Sequence, residues 1–375
     1  MNIHKRWRVC IPLLIVCLGF SILINCGGGS RTNGPLGHSL KIPRIFPSAT
    51  RLKDGRILVV GGATNTSGGV STCLSSVEIV DPGTGSAFLT GSMAQPRKWH
   101  TATLLPDGRV LVTGGSPGTG NPIALDGAEL FDPATGRFQP TGSLNFPRHS
   151  HTATLMKDGR VLITGGDGPT PDQVWSATEI YDPGTGLFQI ASGMTQPRTE
   201  HAACLLASGE VLVAGGIDWS TTASMLDVEV YDPVSGKYRL LSKLLPNYMV
   251  LASFLDLPSG KVFLADAFGG VVLDPVTLTC GPLVPALETR SYSAWVPWPG
   301  GALVIGGYNP ANPGACYANG EHFVEMENRF KPATFRLSHP RMGHVAMNLD
   351  DVTVLVIGGN GSDGLPLSEM EWIKP

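Results

Sequence analysis

The segment His151 to Gly166, HTATLMKDGRVLITGG, repeats almost unchanged as HTATLLPDGRVLVTGG over His100 to Gly115. A glycine pair closes each copy. The first glycines of such pairs, Gly61, Gly114, Gly165, Gly215, Gly306 and Gly358, differ by 53, 51, 50, 91 and 52 residues, so the long gap holds one degenerate unit. Seventeen residues before the glycine stands Arg44, Arg97, Arg148, Arg198 or Arg341, and Arg290 stands sixteen before Gly306. A fixed offset of this kind predicts the same local structure each time. Self-similarity near 50 residues predicts an array of supersecondary units, each too small to bury its own apolar face.

The content of one unit predicts four strands. His151 to Met156 is β-prone, Asp158-Gly159 predicts a two-residue hairpin turn with both residues at positive φ, and Val161 to Thr164 is a run of aliphatic and β-branched residues. These are strands A and B. Continuous apolar B segments (VLIT, VLVT, ILVV, VLVA, LVIG) suit sheets covered on both faces. A third strand ends in Asp-Pro at Asp81, Asp132, Asp182 and Asp232, where proline removes a ladder donor. Strand D then carries Phe88, Phe138, Phe188 or Tyr238. In the degenerate unit Pro246-Asn247 stands in for Pro-Arg and Ala265-Asp266 for the glycine pair, and Asp274-Pro275 follows with almost no B–C loop.

The period, the glycine pairs and the four-strand unit resemble kelch repeats, in which each repeat is one propeller blade. The resemblance implies an all-β, seven-bladed kelch-type β-propeller of four-stranded antiparallel blades over residues 35–375. Met370 to Pro375 aligns with a strand C, whereas Pro35 to Arg44 resembles a strand D running into Pro-Arg. The N-terminal strand is therefore expected to complete the last blade and close the ring, removing two exposed edges.

The first residues have a different character. Lys5, Arg6 and Arg8 precede an apolar run from Val9 to Ile24, the pattern of an export signal over residues 1–25. Leu23-Ile24-Asn25-Cys26 resembles the lipobox of bacterial lipoproteins, which implies lipidation at Cys26 and a bacterial cell-envelope location, with residues 26–34 a flexible tether. Export permits disulfides, and Cys73 and Cys316, both in long loops, leave a pairing open; Cys204 reads as a small buried side chain.

Composition excludes some partners. A net charge of −3 without a basic stripe gives no electrostatic footprint for nucleic acid. With 48 glycines and 30 prolines but 42% hydrophobic residues, the chain reads as many short strands and turns rather than as disorder.

The repeated motifs have structural readings. No helix or Gly-Lys-Ser/Thr follows the glycine pairs, so they are not phosphate loops. His100, His151, His201 and His344 lie one per blade and are expected to diverge around a ring rather than converge on a metal. Each Glu-x-x-Asp of strand C is expected to pair its glutamate with a repeat arginine and to turn at Asp-Pro. Binding is expected where the copies differ, in the B–C loops that kelch-like propellers gather on one face. These carry Asp167, Trp175, Asp218, Trp219, Tyr308, Asn309 and Tyr317, residues suited to stacking on a sugar and fixing its hydroxyls. Because blade five lacks its loop, a groove between blades four and six, flanked by Trp219 and Tyr308, is expected. The reading is an envelope-anchored, monomeric recognition module for a glycan or an envelope protein, without cofactor. The alternatives are a sugar-acting enzyme or an envelope scaffold. Copper radical oxidases resembling galactose oxidase share such a propeller but use a Tyr-His pair, and this chain has no Tyr-His dipeptide.

Overall fold

The computed structural model describes residues 38–65, 71–118, 124–170, 172–221, 223–247 and 249–375. The leader over residues 1–25, Cys26 and the tether over residues 26–34 lie outside the described residues. Among the described residues no helix is long and apolar enough to cross a membrane.

Seven antiparallel sheets follow one another along the chain. Blade three is representative: strand A Thr152–Leu155, B Val161–Thr164, C Thr178–Asp182 and D Leu187–Ala191, in the order A-B-C-D. The A strands of neighbouring blades contact one another, which places them around a central axis. Every B strand from blade one to blade four is fully buried, as its unbroken apolar sequence requires.

Seven hydrophobic clusters lie between the blades rather than within them. One joins Leu58 and Val60 of blade one to Val110 and Val112 of blade two, and another joins Ile57 and Val59 of blade one to Leu355 and Ile357 of blade seven. Each sheet therefore buries both faces only by stacking, and the stack returns on itself.

The sheet of blade seven has three strands, Val345–Asn348, Val354–Ile357 and Met370–Ile373. The N-terminal segment lies along its outer edge. Ser39 bridges Glu369, Leu40 N donates to Ser368 O at 2.8 Å, and Met370 N donates to His38 O at 3.0 Å. This is a short bridge rather than a full ladder. Leu40 enters the core between blades seven and one, while Lys41 and Ile42 donate their N–H groups to the Glu78 carboxylate. Deleting residues 38–42 is expected to lower the melting temperature by about 5–10 °C, because a core side chain and two charge-assisted bonds are lost together; an unchanged thermal transition would show that the segment contributes nothing to the ring.

Inside six of the seven blades the repeat arginine and the strand-C glutamate form a buried lock. Arg148 Nη2 donates to Glu179 Oε1 at 3.0 Å with both side chains at 0% exposure, and Nη1 donates to the carbonyls of Gly165 and Ala177 at 2.6 and 3.0 Å. Glu179 also accepts from the N–H groups of Asn145 and Phe146. Equivalent pairs join Arg44 to Glu78, Arg97 to Glu129, Arg198 to Glu229, Arg290 to Glu321 and Arg341 to Glu371. The Asp-Pro turns also form as expected, with Asp182 Oδ1 accepting from Gly184 N at 2.8 Å.

Blade five lacks the lock, and the structure corrects which residue took its place. Met249, not Asn247, occupies the arginine position: Gly216 N donates to Met249 O as Gly166 N donates to Arg198 O. In the strand register Leu264 faces Val271 as Val213 faces Glu229, so valine replaces glutamate. Met249 and Val271 are both fully buried in the core between blades four and five. The ion pair was thus replaced by two apolar side chains together. The expected loss of the B–C loop is present, since Asp266 pairs directly with Gly269.

The A–B turn also differs from expectation. Gly159 adopts φ 87° but Asp158 stays out of the left-handed region. Gly159 N donates to Met156 O and Met156 N to Arg160 O, a three-residue loop with glycine at the left-handed position. Asp158 is used instead to accept from Arg160 N at 3.0 Å and Nε at 2.7 Å. At the glycine pair, a Cβ on Gly114 would lie 2.4 Å from the Arg148 carbonyl oxygen, so the next blade's arginine loop fits only against glycine. Cys73, Cys204, Cys280 and Cys316 are all free thiols.

Candidate functional site

The face that carries the B–C loops is built the same way in each blade. The residue after the repeat arginine bridges the residue after the glycine pair: Ile45 with Ala63, Lys98 with Ser116, His149 with Asp167, Thr199 with Ile217 and Ser291 with Tyr308. The next residue then turns inward with positive φ: Phe46 (54°), Trp99 (56°), Ser150 (53°), Glu200 (54°), Leu251 (56°), Tyr292 (52°) and Gly343 (61°). Six of these are not glycine, and a left-handed bulky residue is uncommon. Recurrence in every blade makes the conformation architectural. Main-chain bonds link the turns around the axis, with Phe46 N donating to Gly343 O at 2.8 Å, Gly343 N to Tyr292 O at 2.9 Å, Ser150 N to Trp99 O at 3.0 Å and Glu200 N to Ser150 O at 3.3 Å. What differs between blades is the side chain each turn presents at the axial mouth.

Those side chains divide into two arcs. On blades six, seven, one and two stand Tyr292, Gly343, Phe46 and Trp99. The Phe46 ring meets Tyr292 edge-on at 5.2 Å and Trp99 at 6.2 Å, and Tyr308 stacks on Tyr292 at 6.0 Å. Gly343 permits this, since a Cβ there would lie 2.7 Å from the Phe46 ring. These rings line a depression of about 230 Å3. Lys98 Nζ sits 4.0 Å over the Trp99 ring.

On blades three and four the mouth is acidic. Asp167 accepts from Thr199 Oγ1 at 2.8 Å and lies 3.4 Å from His149 Nδ1, with the polar hydrogens of Trp219 and Ser150 close enough to favour its ionised form. Burial pushes its carboxyl up to about 6. Glu200 is pushed up to about 8, first by burial and then by the neighbouring charge of Asp167, and its Oε2 is enclosed without a hydrogen-bond partner. Burial, with Lys98 adding to it, pushes His149 down to about 4, so its imidazole is neutral. Two carboxyls displaced upward in one place mark a site more strongly than either does alone.

The repeat histidines have another role. His100 Nε2 bonds Ser48 Oγ at 2.8 Å, His151 Nε2 bonds Thr101 Oγ1 at 3.1 Å and His201 Nε2 bonds Thr152 Oγ1 at 3.0 Å, each reaching back to the preceding blade. Burial pushes His100, His201 and His344 down to about 3, so they act as neutral spacers between blades. Among the described residues no group of three His, Cys, Asp or Glu side chains is placed to hold a metal ion.

Of the residues expected from sequence, Asp167 and Trp219 come together at the acidic arc, and Tyr308 joins the aromatic one. Trp219 is thus held towards blade three and Tyr308 against Tyr292, and the depression lies on blades six, seven, one and two rather than between four and six. The others serve their own loops. Trp175 Nε1 donates to Pro147 O at 2.9 Å and its ring packs on Phe146. Asp218 accepts from Ser220 Oγ and Thr221 Oγ1, Asn309 Oδ1 accepts from Ala311 N, and Tyr317 donates to Glu288 Oε2 beneath the Arg290 guanidinium. Phe46, Trp99, Glu200 and Tyr292 were not anticipated. Their signal is present in the sequence as the changing residue between the repeat arginine and the repeat histidine.

Comparison with known proteins agrees with this architecture. No family model matches the chain. Kelch domain-containing protein 9 of Mus musculus is 30% identical over 163 residues, covering 41% of this chain and 44% of the mouse protein, so the match spans less than half of that relative. A fungal alcohol oxidase of the AA5 family, solved in complex with copper, superposes with a TM-score of 0.70 at 18% identity, covering 91% of this chain and 76% of its own. The structure of YjhT superposes with a TM-score of 0.56 at 11% identity, covering 90% of this chain and 96% of its own. With the blade topology, these likenesses identify the fold: the chain is a seven-bladed β-propeller, and its repeats are similar to those of a kelch domain-containing protein.

Proposed function

We propose that this protein is an envelope-anchored recognition module, tethered through a lipidated Cys26, that binds a glycan through the B–C loop face. The observation that carries this reading is the axial mouth. At the one inward-turning position where blades are free to differ, the chain places Phe46, Trp99 and Tyr292 on one arc and Glu200 beside Asp167 on the other. A sugar ring has an apolar face for the aromatic arc and hydroxyls for the acidic one. Half-buried rings held by the turn geometry lose little freedom on binding, which favours affinity.

The likeness to a copper alcohol oxidase does not extend to its metal. No Tyr-His dipeptide is present, and among the described residues no three His, Cys, Asp or Glu side chains converge. The residues that the resemblance would require are thus unmatched, and no redox step is assigned.

A screen of the full-length protein, solubilised in non-ionic detergent, against immobilised glycans tests the reading. Retention of at least one glycan class is expected, with about tenfold weaker binding for Trp99→Ala, the magnitude of one lost aromatic stack. Absence of glycan retention, or unchanged binding by Trp99→Ala, would overturn it.

A further inference from the structure

We infer that the group recognised at the axial mouth carries a fixed positive charge, a trimethylammonium head being the best fit, with the aromatic arc as its cage and Glu200 and Asp167 as its counter-charge. The inference rests on the B–C face being the recognition surface and names the chemistry it selects.

The aromatic arc has the composition of a cation cage. Phe46, Trp99 and Tyr292 border one depression of about 230 Å3, with ring centroids 5.2 and 6.2 Å apart from Phe46 outwards. Electron-rich ring faces within about 6 Å attract an ammonium group, and a methylated one most readily because it gives up little hydration. The arc already shows this affinity, for the chain's own Lys98 Nζ lies 4.0 Å over Trp99.

Sugar hydroxyls can bond to the acidic arc, but they bring no charge to offset its two carboxyls. Each strand-C glutamate with an arginine in its blade is neutralised by it, as Glu179 is by Arg148. Glu200 has no such partner; its Oε2 is enclosed and accepts no hydrogen bond, and the nearest interacting charge is another carboxyl, Asp167. A carboxylate with one oxygen enclosed and unbonded is costly unless a proton or a cation compensates it. The groups around it supply no cation. His149, which faces Asp167, is neutral, Thr199 only donates a hydrogen bond, Ser150 and Trp219 carry no charge, and the Lys98 ammonium is engaged on Trp99. The cluster is continuous with the cage, because the His149 ring lies 5.4 Å from Trp99 and Glu200 N reaches Trp99 through Ser150.

The acidic arc makes binding of a cation depend on pH. Glu200 and Asp167, pushed up to about 8 and about 6, hold protons at mildly acidic pH, and a bound cation favours their ionised forms. Binding must then expel protons, so affinity for a ligand of fixed charge rises with pH.

Calorimetric titration of the detergent-solubilised full-length protein with choline and with its neutral carbon isostere, in which a tert-butyl group replaces trimethylammonium, tests this. Choline is expected to bind about tenfold tighter than the isostere, and about tenfold tighter near pH 8.5 than near pH 6. Glu200→Gln should weaken choline and flatten its pH dependence, Trp99→Ala should weaken it, and Lys98→Gln should tighten it by removing the competing cation. The opposite signs at Lys98 and Trp99 separate a binding effect from damage to the fold. Equal binding of choline and isostere, or saturable binding of neither, would overturn the inference. Retention of a neutral glycan in the same preparation would leave the recognition face standing, whereas loss of both would remove the face as well.

Discussion

Substituting methionine for Arg148 is expected to lower the unfolding free energy by about 3–5 kcal/mol, the loss typical when one partner of a buried ion pair is removed. Adding Glu179→Val in the same chain should restore more than half of it. The single substitution strands a carboxylate at 0% exposure with only the N–H groups of Asn145 and Phe146 and the Asn145 amide as partners. The double substitution reproduces what the molecule already does in blade five, where Met249 and Val271 fill the same two positions at 0% exposure. Recovery should stop short of complete, because Arg148 also satisfies the carbonyls of Gly165 and Ala177. Denaturant unfolding of the two variants decides the matter. A double variant no more stable than Arg148→Met would mean that the loss comes from the two carbonyls and not from the stranded carboxylate.

That experiment also indicates why part of this protein is legible in its sequence. Arg148, Glu179 and Gly165 recur at fixed offsets because six blades share the same lock, so repetition alone identifies them and their pairing. The same logic conceals the site. Phe46 and Tyr292 occupy equivalent positions in blades one and six and meet only because the ring turns back and Gly343 leaves a gap between them. No spacing along the chain encodes that contact. The left-handed turn is hidden too, since residues as different as Trp99, Glu200 and Leu251 adopt it under the constraint of the flanking bridge, against their own preference. Local partners of loop aromatics are equally hidden. Nothing in the spacing shows that Pro147 and Glu288 hold the polar atoms of Trp175 and Tyr317. In blade five the sequence shows that the lock is lost, whereas the register of Leu264 against Val271 and the Gly216 bond to Met249 show what replaced it.

Glu200→Gln is expected to stabilise the protein near pH 8 by about 1–3 kcal/mol and to leave stability near pH 4 unchanged, the magnitude being well below the full linkage value because the side chain is partly open to solvent. The sign follows from the direction of the shift. Glu200 titrates at about 8 in the folded chain against an ordinary 4.5, so between these values the unfolded chain has released a proton that the folded chain still holds. Stability contributed by this group is complete below the lower value and is lost as pH rises through the upper one. Asp167 and Asp266, pushed up to about 6 and about 7, act in the same direction and remain in the variant. His100, His201 and His344, pushed down to about 3 by burial, act oppositely and lose stability as pH falls below 6.5. The wild-type curve alone therefore assigns nothing, whereas the difference between wild type and Glu200→Gln cancels every group that does not interact with Glu200 and leaves that carboxyl with its coupling to Asp167. A difference that opens from zero near pH 4 to its maximum near pH 8 places the missing counter-charge at Glu200. A flat difference would mean that this carboxyl is ionised and hydrated in the folded chain, so that a cationic ligand would expel no proton from it and the rise of affinity with pH would be lost.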